Sequence, residues 1–311
     1  MITPALALLK SLKPNFQIDV LSLSNLGASV YYNNPHCEHI YLHSEINQAD
    51  DFIEPYDFMV AAHRDNRILE LVDQLKKPVF LIEKADQEQA QSQQALNFIQ
   101  RGFSESNLTT QSLHYQLFPS ADDRASASHL LNKNIKYIGM HLGCHGINKK
   151  DVWLPWYRPH HEKLWPIKQF IELANGLKLK YPQSQIVLTG GENEQILAHQ
   201  FKQHIPDAID LTGKTNLLEL AAVMEKLAVY VSPDTGTMHA ACAMNTPLVA
   251  LFGPTNAIRT GPYPTSAFRQ TIEVKSLAEL NYQQVLTAID ILLGVYNRLD
   301  SIEKSDLLVN T

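Results

Sequence analysis

Residues 234–239 read Asp-Thr-Gly-Thr-Met-His, a set suited to holding an anionic ligand. The small residues Thr235, Gly236 and Thr237 would let a phosphate approach the backbone at a helix start, where free N–H groups and the positive end of the helix dipole favour negative charge. Asp234 can cap that helix or reach past the phosphate to a hydroxyl. His239, one turn further on, can face the ligand or pack among its helical neighbours. The same residues also describe an ordinary capped helix start without a ligand.

The elements that must position this turn follow from hydrophobic patterning. Residues 228–232 form a short buried strand, a helix starts near Gly236, and a second buried strand at 248–252 ends on Gly253-Pro254. Such a strand–turn–helix–strand unit belongs to a parallel sheet, whose ligands sit beyond the carboxyl ends of the strands. Upstream, strands at 137–142, 185–189 and 209–211 alternate with helices at 167–180, 193–203 and 217–226, and a terminal helix covers 283–296. The first part repeats the rhythm, with a helix at 5–12 capped by Thr3 and strands at 18–23, 38–42, 57–62 and 78–82. A Gln-rich stretch at 83–98 reads as a solvated helix, and another helix covers 122–131. The expectation is an α/β protein of two domains, 1–133 and 134–299, joined near 132–134, with a frayed tail at 300–311.

A length of 311 residues suits two cores of that size. A net charge of −6, without a block of Lys or Arg, argues against nucleic acid as a partner. Three scattered cysteines, Cys37, Cys144 and Cys242, form no C-x-x-C pair and suggest a reducing cytoplasmic compartment rather than a disulfide framework. The apolar run after Met1 is broken by Pro4 and Lys10 and is too short to span a membrane, so a membrane contact would be peripheral.

Residues 143–166 contain all three tryptophans, Trp153, Trp156 and Trp165, along with Lys149, Lys150, Arg158 and Lys163. Aromatic faces stack on sugar rings and cations meet phosphates, so the stretch suits a closing loop; a loop pinned by its aromatics is the other reading. Other chemistries find less support. Gly213-Lys214-Thr215 resembles the end of a phosphate-binding loop, but Ala208 stands where that motif requires glycine. There is no G-x-G-x-x-G fingerprint, and no D-x-D pair of the kind that bridges a divalent cation to a sugar nucleotide. His36, Cys37 and His39, and the set His141, Cys144, His145, His160 and His161, fit no closed zinc spacing. No metal and no organic cofactor are expected.

The stretches D-T-G-T-M-H (234–239), F-G-P-T (252–255), T-G-P (260–262), K-L-W-P (163–166) and L-T-G-G-E-N-E (188–194) together resemble the donor half of the bacterial heptosyltransferases, glycosyltransferase family nine. The resemblance is strong over about 135–265. It implies a GT-B architecture, two Rossmann-like domains with parallel sheets facing a central cleft. It also implies inverting, metal-independent transfer of heptose from a nucleotide diphosphate sugar, ADP-heptose, to a lipopolysaccharide core intermediate at the inner face of the cytoplasmic membrane. By the same resemblance, Lys163, Asp234, Thr235 and Gly236 line the donor phosphates and sugar, and Glu194 contacts the nucleoside. Thr237 and His239 complete the donor set, with Cys144, His145, Trp153, Trp156 and Arg158 as candidate loop contacts. Gly143-Cys144-His145 departs from the hydroxyl residues that relatives carry there, so phosphate contacts from that turn are not implied.

A second departure concerns the start. Family members have a first strand and a Gly-Asp loop, whose Asp is the expected base, ahead of a helix containing T-P and leucines. Residues 1–6 already match that helix, so the sequence is expected to begin after both, leaving two strand edges exposed. No residue stands out as a replacement base; Asp57, His63 and Asp65 are no more than strand-end candidates in the first domain. A donor-binding relative without turnover is the alternative from another class. A sugar-nucleotide epimerase is disfavoured by the pairing of K-x-W-P with D-T-G-x-x-H.

Overall fold

The computed structural model describes residues 2–46, 52–84, 86–104, 113–131, 135–144 and 161–294. The chain divides into two compact units, residues 1–118 and 119–311. The division falls ahead of the helix at residues 121–130, which the sequence reading assigns to the first domain. That helix packs instead on a helix of the second unit, and Arg124 forks onto Glu225 at 2.8 Å. The expected linker at 132–134 lies outside the described residues.

In the first unit, α1 (Thr3–Leu12) is followed by β1 (Val20–Ser22), α2 (Asn25–Ser29), β2 (Ile40–Leu42), β3 (Met59–Ala61), α3 (Asn66–Gln74), β4 (Val79–Leu81) and α4 (Gln91–Phe103). Thr3 does not cap α1. It is the first helical residue, and its hydroxyl accepts the Gln116 N–H at 3.1 Å. Nor is α4 a solvated helix. Ser92, Gln94, Ala95, Leu96 and Ile99 are buried, α4 packs on α1, and its buried polar groups find partners in Tyr115 and the Lys84 carbonyl.

The strands form two separate parallel pairs, β1 with β2 and β3 with β4. Among the described residues no strand joins β1 to β3, so each keeps one edge outside any sheet. Both edges line a cavity of about 1130 Å³ walled by apolar side chains that include Leu6, Leu9, Phe98 and Ile99.

The second unit has the opposite character. Its sheet comprises β5 (Lys136–His141), β6 (Ser184–Thr189), β7 (Ile209–Asp210), β8 (Leu227–Pro233), β9 (Leu248–Phe252) and β10 (Arg269–Glu273), all parallel. The spatial order is β10-β9-β8-β5-β6-β7, so the chain winds outward from β5 in one direction and then, from β8, in the other. Between β5 and β8 the loops diverge, and the crevice at their carboxyl ends is where this fold class receives ligands. One face of the sheet, carrying Ile138, Met140, Val229 and Val231, forms the core with α6 (Ile167–Lys180), α7 (Gln195–Lys202) and the helix over residues 282–294. The helix at 121–130 is α5, and it packs on α8 (Leu217–Met224); α8 and α9 (Gly236–Ala243) cover β8 and contact each other. Phe170 and Phe201 are fully buried, and truncation of either to Ala should cost about 3–5 kcal/mol.

The contrast predicts uneven stability. In native-state hydrogen exchange, the amides of β5 and β8, hydrogen-bonded to neighbours on both sides, should be the slowest in the protein. Those of β1 and β3 should exchange at least about tenfold faster, because each borders the cavity on one side.

Candidate functional site

The stretches singled out from the sequence converge at the carboxyl end of the second sheet. β8 delivers Asp234 and Thr235, and Thr235 stands at the amino-terminal boundary of α9 with its side chain making no capping bond. This differs from α8, where Asn216 accepts both the Leu218 and Glu219 N–H groups. The Thr235 hydroxyl is committed instead to Thr237 at 2.9 Å and to Ser232 at 3.1 Å. The first-turn amides of α9 are thus not served by the residue that would ordinarily serve them. The Asp234 carboxylate accepts a hydrogen bond from the Thr260 hydroxyl at 3.2 Å, which ties the D-T-G turn to the T-G-P stretch.

Lys163 ends a turn of 3₁₀-helix, His161–Lys163, and its side chain is exposed. That turn lies against Gly253, at the carboxyl end of β9: a Cβ there would come within 2.5 Å of the Glu162 carbonyl oxygen. Glycine at 253 therefore lets K-L-W-P and F-G-P-T pack together. Trp165 secures the arrangement from below; it is 1% exposed, its indole N–H donates to the Leu280 carbonyl at 2.9 Å, and it meets Phe170 edge to face. At Trp165 the pinned reading holds: this tryptophan is a core anchor and not a stacking platform. Trp153, Trp156, Arg158 and His145 lie outside the described residues. Cys144 is buried in the apolar core beside the sheet.

Glu194 approaches from the β6 side. Gly190 and Gly191 turn the chain, the Gly191 N–H donates to the Glu194 carboxylate at 2.7 Å, and Gly190 has a φ of +154°. A Cβ on Gly143 would lie 2.4 Å from the Glu194 Cγ, so the side chain folds over the end of β5 only because residue 143 has none. Beneath it, His141 is buried, and its Nδ1 has no hydrogen-bond partner among the described residues. Burial holds the His141 imidazole below its ordinary range, with the Glu194 charge pulling the other way. Burial likewise pushes His239 on α9 down to about 3.

Thr260 enters the sequence reading only within T-G-P, without a role, and two further residues of this cluster escaped it: Ser232 and Tyr230. The last had one visible signal, a glycine in mid-strand at 139, which marks close approach of a neighbour. In the first unit, Asp57 precedes β3 and so stands at the amino end, away from the side where such sheets bind ligands. Asp65 follows β3 but caps α3 through the Arg67 N–H at 3.0 Å and is clamped by the Arg67 guanidinium, which holds its carboxyl at about 2. His63 accepts the Asp65 N–H on Nδ1 at 3.1 Å. Among the described residues no group of three His, Cys, Asp or Glu side chains is arranged to hold a metal ion.

Comparison with known proteins decides the family. The model of glycosyltransferase family 9 (heptosyltransferase) matches residues 58–289, which include the site stretches of the second unit. The chain belongs to glycosyltransferase family 9. It is similar to lipooligosaccharide heptosyltransferase 2 of Haemophilus influenzae, 32% identical over 110 residues, or 34% of this chain and 31% of that protein. The enzyme of the same name from Haemophilus ducreyi is 35% identical over 112 residues, 34% of this chain and 32% of the relative. The chain thus spans about a third of the length of these curated relatives. A family 9 glycosyl transferase from Veillonella parvula superposes with a TM-score of 0.77 at 20% identity, covering 94% of this chain and 92% of the other. The E. coli ADP-heptose LPS heptosyltransferase II gives 0.73 at 18% identity, covering 95% of each. These likenesses establish the GT-B fold.

For the family 9 chain, the two histidines set a pH dependence. Their folded-state pKa values lie below the unfolded value near 6.5, so unfolding takes up protons as the pH falls beneath it. Their contribution should be complete above about pH 6.5 and lost progressively below it. Urea unfolding at pH 7.5 and pH 5.0 should show a drop in stability that shrinks in His141→Gln and in His239→Gln.

Proposed function

We propose that this family 9 glycosyltransferase transfers heptose from ADP-heptose to a lipopolysaccharide core acceptor, with inversion and without a metal. The observation that carries the reading is the union of the D-T-G turn with T-G-P through Asp234 and Thr260, beside an α9 helix start whose cap residue leaves its amides unserved. Donor identity rests on the E. coli relative, whose name states ADP-heptose.

In this reading the acceptor hydroxyl attacks the anomeric carbon, the new glycosidic C–O bond forms, and the bond to the diphosphate oxygen breaks. The departing diphosphate gathers negative charge, which the amides of Thr235, Gly236 and Thr237 and the Lys163 ammonium would stabilise. Asp234, fixed by Thr260, would hold a sugar hydroxyl, and Glu194 would meet the nucleoside. His239 lies on α9 one turn beyond the phosphate-facing residues. The hydroxyl proton passes to a base that the described residues do not identify. Among them no helix is long and apolar enough to cross a membrane, and the reading places the acceptor at the inner face of the cytoplasmic membrane, reached by peripheral contact.

A second reading, donor binding without turnover, draws on the first unit. There Asp65 is engaged by Arg67 and Asp57 sits at the wrong end of β3. Assay of the purified chain with ADP-heptose and a heptose-deficient core acceptor separates the two: transfer supports the first, binding without product the second. Lys163→Ala should weaken donor binding or turnover by about 1.5–3 kcal/mol, roughly 10–150-fold. Asp234→Ala should impair ADP-heptose more than ADP. Parent-like behaviour of both variants would place the donor elsewhere.

A further inference from the structure

Tyr230 lies at the centre of a buried hydroxyl chain that the proposed chemistry does not itself require. Its backbone is in β8 and its register partner in β5 is Gly139. A Cβ at position 139 would come within 2.6 Å of the Tyr230 ring and 2.5 Å of Leu227, so the phenol lies flat over a strand cleared for it. By crossing β5 it reaches β6, where its oxygen meets the Thr189 hydroxyl at 2.6 Å. The ring is wholly buried, and burial pushes its hydroxyl up to about 12, so the phenol remains neutral and able to donate.

The Thr237 and Ser232 hydroxyls face the same oxygen, Ser232 lying two residues on along β8 and so on the same side of the strand. Thr237 belongs to the first turn of α9, and Ser232 and Thr237 both bond to Thr235, closing a hydroxyl triangle with sides of 2.9 to 3.3 Å. The chain of contacts therefore runs from the end of β6, over β5, to the start of α9. It also accounts for the missing cap: the Thr235 hydroxyl that would turn to the α9 amides is held in the triangle. Leaving those amides open to an anion requires something that fixes Thr235 without occupying them.

We propose that Tyr230 is a positioning residue, which holds Thr235 and Thr237 through the Thr189–Tyr230–Ser232 hydroxyl chain so that the first turn of α9 stays open to the donor diphosphate. The inference rests on the donor site of the preceding subsection. It differs from a purely structural role in one respect: the hydroxyl triangle it supports belongs to the phosphate-facing turn, whereas the Glu194 carboxylate on the nucleoside side is held separately by the Gly191 N–H. Loss of the phenol oxygen should therefore act on diphosphate affinity and spare the nucleoside.

The test is a binding series on the 311-residue chain with ADP and adenosine as probes, together with thermal denaturation. Tyr230→Phe should weaken ADP about 5–20-fold, leave adenosine within about twofold, and raise the donor KM with a smaller change in kcat. Thr189→Val should do the same, Thr189→Ser should restore parental affinity, and the Tyr230→Phe/Thr189→Val double variant should be no worse than either single, because one chain is broken in each. If the parent binds ADP and Tyr230→Phe binds it equally well, or loses ADP and adenosine in parallel with its melting temperature, the positioning role is overturned while the donor site stands. If the parent binds no ADP, the donor site itself is wrong and this inference falls with it.

Discussion

A helix that begins where two parallel strands part company must find something for its first amides to bond. In the second unit that constraint falls on α9, which starts beyond β8 at the reversal of strand order beside β5. For α8 and α5 it is met internally, by Asn216 and by Ser120 with Asp123, whereas α6 and α7 begin after Pro166 and Glu194 without a side-chain cap. At α9 it is not met by the boundary residue, because the Thr235 hydroxyl is bound to two other hydroxyls. The remaining features of the site sit around that choice. Glycines at 143, 190 and 253 admit Glu194 and the Lys163 turn at the strand ends, and Trp165 locks the latter turn to the core.

Charge is distributed to match. The site carries one cation and two carboxylates around the helix start, with Lys163 at the end of β9, Asp234 after β8 and Glu194 after β6. The buried His141 and the half-buried His239 have lowered pKa values and stay neutral, so they add polarity without adding charge. In the proposed reading an anion at the α9 start would meet oriented amides and the exposed Lys163 ammonium, while the two carboxylates would meet hydroxyl groups on either side. A sugar nucleotide offers that sequence of groups: sugar hydroxyls, a diphosphate, then ribose hydroxyls.

Much of the second unit was legible because its strands are buried on both faces and its helices have regular apolar spacing. The helix at 167–180 and the strand at 248–252 could be bounded from pattern alone. β10 was missed because Arg-Gln-Thr-Ile-Glu is a polar edge strand, half exposed along its length. The Gln-rich α4 was misread because Gln94 and Ser92 are buried through specific partners, Lys84 and Tyr115, that lie away from them in the chain. In the site, the phosphate turn announces itself through Asp234–Thr237. The contacts that fix it, Thr260 to Asp234 and Tyr230 over Gly139, depend on register between strands, which no local pattern encodes.

The account stands or falls on where a nucleoside diphosphate binds. Amide chemical-shift mapping with ADP, using selective labelling of threonine and glycine, addresses this directly. The account predicts that the largest shifts fall on Thr235, Gly236 and Thr237, with Gly191 following as the nucleoside meets Glu194. Saturable shifts confined to residues of the first unit, with the α9 turn unmoved, would contradict it.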